Sequence, residues 1–170
     1  GDGMLGQVME PVEFGTYKPR KLPEKTWATT GDADKRPRNI VNSLYLKPDE
    51  LERTNFARYE RYRLVEEREV MYEAYRMEDA EVCVVAFGIA ARVAKNAVAA
   101  ARSEGIRAGL IRPITLWPFP AKALRQAADQ VKAFVSVELN MGQMIEDIRL
   151  ATECTRPVAL CNRCGGMIPS

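Results

Sequence analysis

The residues best suited to chemistry lie in one short segment, VELNMGQ at 137–143. Glu138 could act as an acid, a base or an ion-pair partner, while Asn140 and Gln143 can donate and accept hydrogen bonds. The segment follows the apolar run AFVSV and precedes helix-forming residues, with Gly142 at the predicted turn. Either these polar groups cap the turn and the helix, or they face a ligand or another subunit, and the sequence leaves both readings open.

The composition excludes several kinds of active site. Histidine is absent from all 170 residues, so neither a Ser-His-Asp nor a Cys-His arrangement can be built. Cys83 lies in an apolar run and is predicted to be a buried small side chain. Cys161 and Cys164 form a single C-x-x-C, and a zinc site would require Cys83 and Cys154 to converge on it. We predict a reduced structural pair, no metal site and no catalytic residue.

The charge and hydropathy patterns favour a soluble globular protein. Hydrophobic residues make up 46% and charged residues 28%, with a net charge of +2. The net charge is −2 for residues 1–80 and +4 for residues 81–170. This distribution of charge is too even for a nucleic-acid-binding surface. No apolar run approaches the roughly 20 residues of a membrane-spanning helix, and no secretory signal pattern is visible. We therefore predict a cytoplasmic protein that binds neither nucleic acid nor membrane.

Residues 81–170 are predicted to form an α/β domain, a three-layer open and mostly parallel sheet. Near-continuous apolar runs alternate with helical patterns, as in parallel sheets that are buried on both faces. The predicted strands are 81–87, 106–111, 131–139 and 157–162. Ligands and partners meet such sheets at the carboxyl ends of the strands. The candidate interface or ligand-rim residues at that edge are Gly88, Arg112, Glu138, Asn140, Gly142 and Gln143.

The part of the chain before residue 81 has a different character. Residues 1–14 resemble the end of a truncated domain, and the proline-rich, charged segment 15–46 is predicted to be a linker or extended arm. Residues 47–80 are predicted to form one long charged helix at the surface, because their apolar stripe is narrow. Coiled-coil pairing is the competing interpretation of that stripe.

Three local expectations concern the predicted edge of the sheet. Glu138 is expected to pair with Arg112 from the neighbouring loop. In WPFP at 117–120, Trp117 and Phe119 are expected to cover the sheet edge as core, although an exposed interface anchor is the alternative. The turn FGIAARVA holds one glycine and lacks the G-x-G-x-x-G pattern, which gives no support to dinucleotide binding.

Several stretches together resemble a known family, the alpha-type subunit of 2-oxoacid:ferredoxin oxidoreductases, and most of all its 2-ketoisovalerate branch. The stretches that carry the resemblance are DGMLGQVMEPVEF, DAEVCVVAFGIAARVAKNAVAAARSEGIRAGLIRPITLWPFP, VELNMGQMIEDIRLA and RCGGMIPS. The resemblance implies that residues 1–14 end a thiamine-pyrimidine domain and that residues 81–170 form a domain like the transketolase C-terminal domain.

The same resemblance implies a reaction, cofactors and partners. The reaction is oxidative decarboxylation of a branched-chain 2-oxoacid on thiamine pyrophosphate, with acyl transfer to coenzyme A and electron transfer through iron–sulfur clusters to ferredoxin. Thiamine pyrophosphate, Mg, the clusters and coenzyme A are expected in the full complex and none on this chain, which is expected to be inactive alone. The implied partners are thiamine pyrophosphate-binding and ferredoxin-type subunits, with a possible homodimer.

The resemblance also implies roles for individual residues. Glu138, Asn140, Gly142 and Gln143 would shape the interface with the thiamine domains, and Cys161 and Cys164 would not be cluster ligands. Two other classes of function stay open on the sequence. One is an independent module that binds coenzyme A or a phosphorylated metabolite at Gly88 and Arg112. The other is the equivalent domain of a transketolase or of an NAD-linked 2-oxoacid dehydrogenase.

Overall fold

The computed structural model describes residues 5–7, 9–29, 31 and 35–167. The chain divides into two compact units, one formed by Met9–Glu60 and the other by Arg61–Ser170 together with Gly1–Val8. Of the predicted end of a preceding domain, residues 1–4 and 8 lie outside the described residues. A single 3-10 turn, Leu5–Gln7, is the regular structure described in that segment.

In its described residues, the unit Met9–Glu60 is irregular up to residue 46 and then helical from Pro48. Most of its large apolar side chains, including Phe14 and Trp27, are exposed. Helix α1, Pro48–Arg68, begins with proline and with acidic residues in its first turn, which suits the free N–H groups and the dipole of a helix N-terminus. No side chain of this fully described helix is buried, as a surface helix requires.

The predicted helix 47–80 is too long. Helix α1 ends at Arg68, and residues Tyr72–Tyr75 form strand β1. Strand β1 contains two tyrosines, a residue type that favours strands, and the ladder with a later strand stabilises the extended form over the helix. Pairing between segments distant in the chain leaves no local signal, so the helix-forming residues misled the prediction.

The second unit is built around one five-stranded sheet of order β1-β3-β2-β4-β5. Strand β1 is antiparallel to β3, and all other neighbours are parallel. Strands β2 to β5 are Val82–Ala86, Ala108–Pro113, Ala133–Glu138 and Val158–Asn162, and helices α2 to α4 are Gly88–Ser103, Ala121–Gln130 and Met144–Ala151. The prediction of an open, mostly parallel α/β sheet is confirmed, and the antiparallel edge strand was not foreseen.

The two faces of the sheet carry two separate cores. Helix α2 packs Ala94 and Val98 on one face, beside Ala86 and Leu110 of the strands. On the other face helices α3 and α4 pack a second cluster around Phe134. Because successive strand side chains point to opposite faces, apolar residues at every position allow both faces to be covered. The predicted three layers are confirmed.

The connection between β1 and β2 is held against β3 by one arginine. Arg102 of α2 donates from Nε to the Ala108 carbonyl at 2.6 Å and from Nη2 to the Arg76 carbonyl at 2.7 Å. Its Nη2 also lies 2.6 Å from Oδ1 of Asp79. The guanidinium therefore joins a helix, a strand and a loop that are distant in sequence.

The same connection requires glycine at position 109. A Cβ atom there would lie 2.5 Å from Sδ of Met77, 2.7 Å from the Arg76 carbonyl oxygen and 2.9 Å from Cβ of Ala80. Two of these atoms belong to backbone or to a rigid methyl group, so they cannot move aside. Absence of a side chain at Gly109 lets the loop pack directly on β3.

We expect Gly109→Ala to lower the free energy of unfolding by about 2 kcal/mol, because the added methyl group overpacks the loop against the strand. Urea denaturation followed by circular dichroism measures the change. Gly15→Ala is the control, since nothing lies within 4 Å of the position of its new methyl group. Equal midpoints for the Gly109→Ala chain and the unchanged chain would contradict the packing described.

Candidate functional site

The sheet places its switch point between β2 and β4. Helix α2 leads from β2 to β3 across one face, whereas α4 leads from β4 to β5 across the other face. At the carboxyl ends of these two neighbouring strands the chain departs in opposite directions, which leaves the crevice where ligands meet open α/β sheets. Ala86 pairs with Val137, so the turns that begin at Phe87 and Glu138 leave the sheet side by side.

Glu138 is the most constrained group at this crevice. It is 2% exposed. Its Oε2 accepts hydrogen bonds from the backbone N–H groups of Gln143 and Met144, both at 2.9 Å. Its Oε1 accepts one from the Ile145 N–H at 2.9 Å and one from the Ser136 hydroxyl at 2.8 Å. The carboxylate thus caps helix α4 from the end of strand β4.

These contacts set the charge state of Glu138. Burial by itself would raise the pKa of the carboxyl group, because it disfavours the charged form. The backbone hydrogen bonds from Gln143, Met144 and Ile145, with the one from Ser136, favour the charged form and leave the pKa below its ordinary value of 4.5. Glu138 is therefore an anion at neutral pH whose lone pairs are committed to its own chain.

The next residues form a fixed loop, Leu139–Gln143, which we name the rim loop. Oδ1 of Asn140 accepts the Gly142 N–H at 2.7 Å, and Nδ2 of Asn162 donates to the Asn140 carbonyl at 2.7 Å. Gly142 has φ +105, and a Cβ there would lie 3.1 Å from Cδ2 of Leu160. Of the two readings that the sequence left open, capping describes both side chains: Asn140 closes the turn before helix α4, and Glu138 caps the helix.

The rim loop turns outward one side chain that the sequence singled out, Gln143, and two apolar side chains that it did not. Met141 is 77% exposed, and Leu139 and Gln143 are also exposed. The polar groups of Glu138 and Asn140 form hydrogen bonds inside the loop, while the two apolar side chains face solvent. The two apolar residues between Glu138, Asn140 and Gly142 were the signal for this arrangement, which sequence reasoning missed.

Arg112 does not join the rim. It lies within β3 opposite Glu73 of β1, and its Nη1 donates to Oε2 of that residue at 3.0 Å. The expected pair between Arg112 and Glu138 is wrong, because strand β2 separates β3 from β4 and all four bonds at Glu138 come from elsewhere. Both side chains of the observed pair are largely exposed, so the pair adds little stability.

Gly88 does lie at the crevice. It has φ +58 and begins helix α2 directly after Phe87, whose side chain provides no cap. The structure therefore brings together Gly88, Glu138, Asn140, Gly142 and Gln143, and leaves Arg112 on the β1 side of the sheet. This edge can present a shaped surface, but its carboxylate is not available as an acid or base.

The WPFP loop follows strand β3. Phe119 packs half-buried against the core beneath α3, as expected. Trp117 is 56% exposed and meets the ring of Tyr62 edge to face at 5.5 Å between centroids, so the expectation that it is core is wrong. It borders a cleft of about 840 Å³ that also contains Tyr72 and Lys122.

The thiols do not assemble into a site among the described residues. Cys83 is buried, and burial raises its pKa to about 12. Cys161 lies in β5, and the Arg163 N–H continues the ladder to the Glu138 carbonyl, so the chain leading to the exposed Cys164 is extended. In the part of the chain that the structure describes, no three His, Cys, Asp or Glu side chains are grouped to hold a metal ion. Nor is any described helix long and apolar enough to span a membrane.

We expect Glu138→Gln to lower the free energy of unfolding by about 2 kcal/mol near pH 7, because an amide places a donor against backbone donors. The Glu138 carboxylate has a lowered pKa, so its contribution is present above the pKa of the unfolded chain and is lost as the pH falls through the folded value. The difference between the two chains should shrink below about pH 4.

Urea denaturation at a series of pH values measures this difference. Glu146→Gln is the matched control, since Glu146 is exposed in the first turn of the same helix and makes only a surface pair with Arg149. A gap between the Glu138→Gln and unchanged chains that stays constant from neutral to acid pH would contradict the role of the ionised carboxylate.

Comparison with known proteins identifies the family of this chain. Residues 80–170 match the family model described as pyruvate:ferredoxin oxidoreductase core domain II. The ketoisovalerate oxidoreductase subunit VorB of Methanothermobacter marburgensis is 48% identical over 165 residues, which cover 97% of this chain and 46% of that protein. The 2-oxoglutarate synthase subunit KorA of the same organism is 38% identical over 91 residues, covering 54% of this chain and 24% of KorA.

A solved structure shares the fold. The 2-oxoglutarate:ferredoxin oxidoreductase from Magnetococcus marinus, with 2-oxoglutarate, coenzyme A and succinyl-CoA bound, matches with a TM-score of 0.64 and 23% identity. The match covers 74% of this chain and 22% of that one. The chain spans about half the length of the VorB relatives it matches. The resemblance predicted from the sequence is confirmed, and the chain belongs to the pyruvate:ferredoxin oxidoreductase core domain II family.

Proposed function

We propose that this chain is part of a subunit of a 2-oxoacid:ferredoxin oxidoreductase that acts on a branched-chain 2-oxoacid, 2-ketoisovalerate. The complex would decarboxylate the oxoacid on thiamine pyrophosphate, transfer the acyl group to coenzyme A and pass electrons to ferredoxin. The identity of 48% with VorB across 97% of the chain is the observation that carries the proposal. The identity with KorA is lower and covers little more than half of the chain. The difference between the two relatives favours the branched-chain substrate over 2-oxoglutarate.

Within such a complex we assign the rim loop to a contact with the part that holds thiamine pyrophosphate. The loop lies at the switch point, and four internal hydrogen bonds to Glu138 and two at Asn140 hold its backbone in one conformation. Its outward Leu139 and Met141 would bury apolar area against a neighbour, and Gln143 would add a hydrogen bond at the edge. A pre-ordered loop loses little conformational entropy on association.

The residues described do not fit the metal and cluster cofactors of this reaction. Glu138 is a carboxylate at the crevice, but its oxygens are already occupied, and no group of three potential ligand side chains exists in the described ranges. We therefore derive no step through Mg, an iron–sulfur cluster or thiamine pyrophosphate on this chain, and assign to it the shaping of an interface. Transketolase-like chemistry carried out by the chain alone is not supported by these residues.

The domain organisation and setting belong to the same proposal. Residues 81–170 would form the transketolase C-terminal-like domain, 15–46 a linker, and 1–14 the end of a thiamine-pyrimidine domain. Thiamine pyrophosphate-binding and ferredoxin-type subunits would be the partners in a cytoplasmic complex, with a second copy of the subunit as a further one.

We expect Met141→Asp, made in the complete subunit and assembled with its partners, to weaken assembly or turnover at least roughly tenfold, because a charge would be buried against an apolar neighbour. Size-exclusion chromatography measures assembly, and reduction of a viologen dye dependent on 2-ketoisovalerate and coenzyme A measures turnover. Leu150→Asp is the control, because Leu150 is equally exposed, at 75%, but lies outside the rim loop.

Two outcomes separate the parts of the proposal. Normal assembly and turnover of the Met141→Asp complex would overturn the rim-loop contact and leave the reaction untouched. A faster rate with pyruvate or 2-oxoglutarate than with 2-ketoisovalerate in the unchanged complex would overturn the assignment of the substrate.

A further inference from the structure

A cleft beside the WPFP loop combines aromatic rings with carboxylates. It has a volume of about 840 Å³. Trp117, Phe119 and Tyr72 supply the rings, and Glu66 and Glu67, near the end of helix α1, supply the carboxylates. Every lining residue lies within the described ranges and in the unit that contains the sheet. We name it the tryptophan cleft, and the proposed rim-loop contact does not use it.

Hydrogen bonds hold two walls of the tryptophan cleft together. The N–H groups of Ile114 and Thr115 donate to the Met71 carbonyl at 3.0 Å and 3.1 Å. The Met71 N–H donates to Oγ1 of Thr115 at 3.0 Å, and that hydroxyl donates to the Pro118 carbonyl at 2.8 Å. Because Met71 directly precedes Tyr72, these bonds fix the start of strand β1 against the WPFP loop. The cleft is therefore formed before anything binds to it.

Trp117 has the exposure expected of an anchor for a partner. It is 56% exposed even though it meets the ring of Tyr62 edge to face. Tyr72 is the second partly exposed ring of the lining, and Pro118 beside Trp117 is buried. Tryptophan is among the residues that carry most of the binding energy at interfaces. The cleft thus has the apolar part of a binding surface.

The charged part of the lining is mainly negative. Among the described residues, Glu66 and Glu67 form no ion pair, and Lys122 is the one basic residue of the lining. Arg63 and Arg68 of the same helix lie outside the lining. The residues outside the described ranges include no lysine or arginine, so their side chains can add only negative charge. The cleft therefore favours a cationic group over an anionic one.

We propose that the tryptophan cleft binds an arginine side chain on a polypeptide segment of a partner. A guanidinium group stacks on aromatic rings and pairs with carboxylates through its planar fork, whereas an ammonium group is a compact and strongly hydrated charge. The volume of the cleft exceeds that of one side chain, which leaves room for the backbone beside it. Lys122 and Gln126, both exposed, supply donors for the carbonyl groups of that segment.

Titration of the isotope-labelled chain with the tripeptide acetyl-Ala-Arg-Ala-amide at low ionic strength tests the proposal. The chain contains two tryptophans, so nitrogen–proton NMR spectra show two indole N–H signals, which Trp27→Phe assigns. The Trp117 signal should move in a saturable way with a Kd of about 1 mM, a weak affinity typical of a single contact. The Trp27 signal should stay in place, since Trp27 lies outside the cleft.

Two comparisons isolate the charges. The citrulline analogue of the tripeptide has the same shape without the positive charge and should bind at least roughly tenfold more weakly. Glu66→Gln and Glu67→Gln should each weaken binding of the arginine peptide roughly fivefold, because each removes one carboxylate from the guanidinium group. Glu69→Gln is the matched control: it removes the same charge from an exposed position outside the lining and should change affinity by less than about twofold.

Three results would overturn the proposal. The first is absence of a saturable shift of the Trp117 signal up to about 20 mM arginine peptide, well above the affinity expected. The second is equal affinity for the citrulline and arginine peptides, which would show that the rings alone bind. The third is an equal loss in Glu69→Gln and in the two lining variants, which would show diffuse attraction to an acidic segment. None of these measurements depends on the reaction proposed for the complex.

Discussion

The geometry of the crevice depends on one buried carboxylate. Glu138 ends strand β4 and receives three backbone N–H groups from the start of helix α4, so strand and helix are joined by charge-assisted hydrogen bonds. A buried carboxylate without such partners would be strongly destabilising. Because α4 leads into β5, the placement of the outer strand and of the rim loop follows from this single contact.

In the rim loop, different residues fix the backbone and face outward, although the sequence analysis assigned both roles to the same polar residues. Glu138, Asn140 and Gly142 fix the conformation of the backbone. Leu139 and Met141, which lie between them, are exposed on the outer side of the loop. In the contact that we propose for this edge, recognition would depend on shape and apolar area more than on charge, as in a permanent contact between subunits. The absence of histidine from the sequence is consistent with an edge that forms a surface and holds no acid–base group of its own.

The parallel part of the fold could be predicted because its strands are buried on both faces, and VCVVA or AFVSVE can form little else between glycine and proline turns. Strand β1 could not, because YEAY is compatible with a helix until β3 pairs with it. The same omission explains the error at Arg112, whose partner Glu73 lies on the unforeseen strand. The prediction that Trp117 is part of the core was wrong for a related reason, because its neighbour Tyr62 is distant in sequence.

The buried thiol of Cys83 has a practical consequence. A thiolate is the species that reacts with alkylating reagents, and a pKa of about 12 inside a closed core leaves almost none of it at neutral pH. The other three cysteines are exposed and will be modified at once. The rate at which Cys83 is then labelled measures how often the centre of the sheet opens. The thiol is therefore a built-in probe of large-scale unfolding fluctuations.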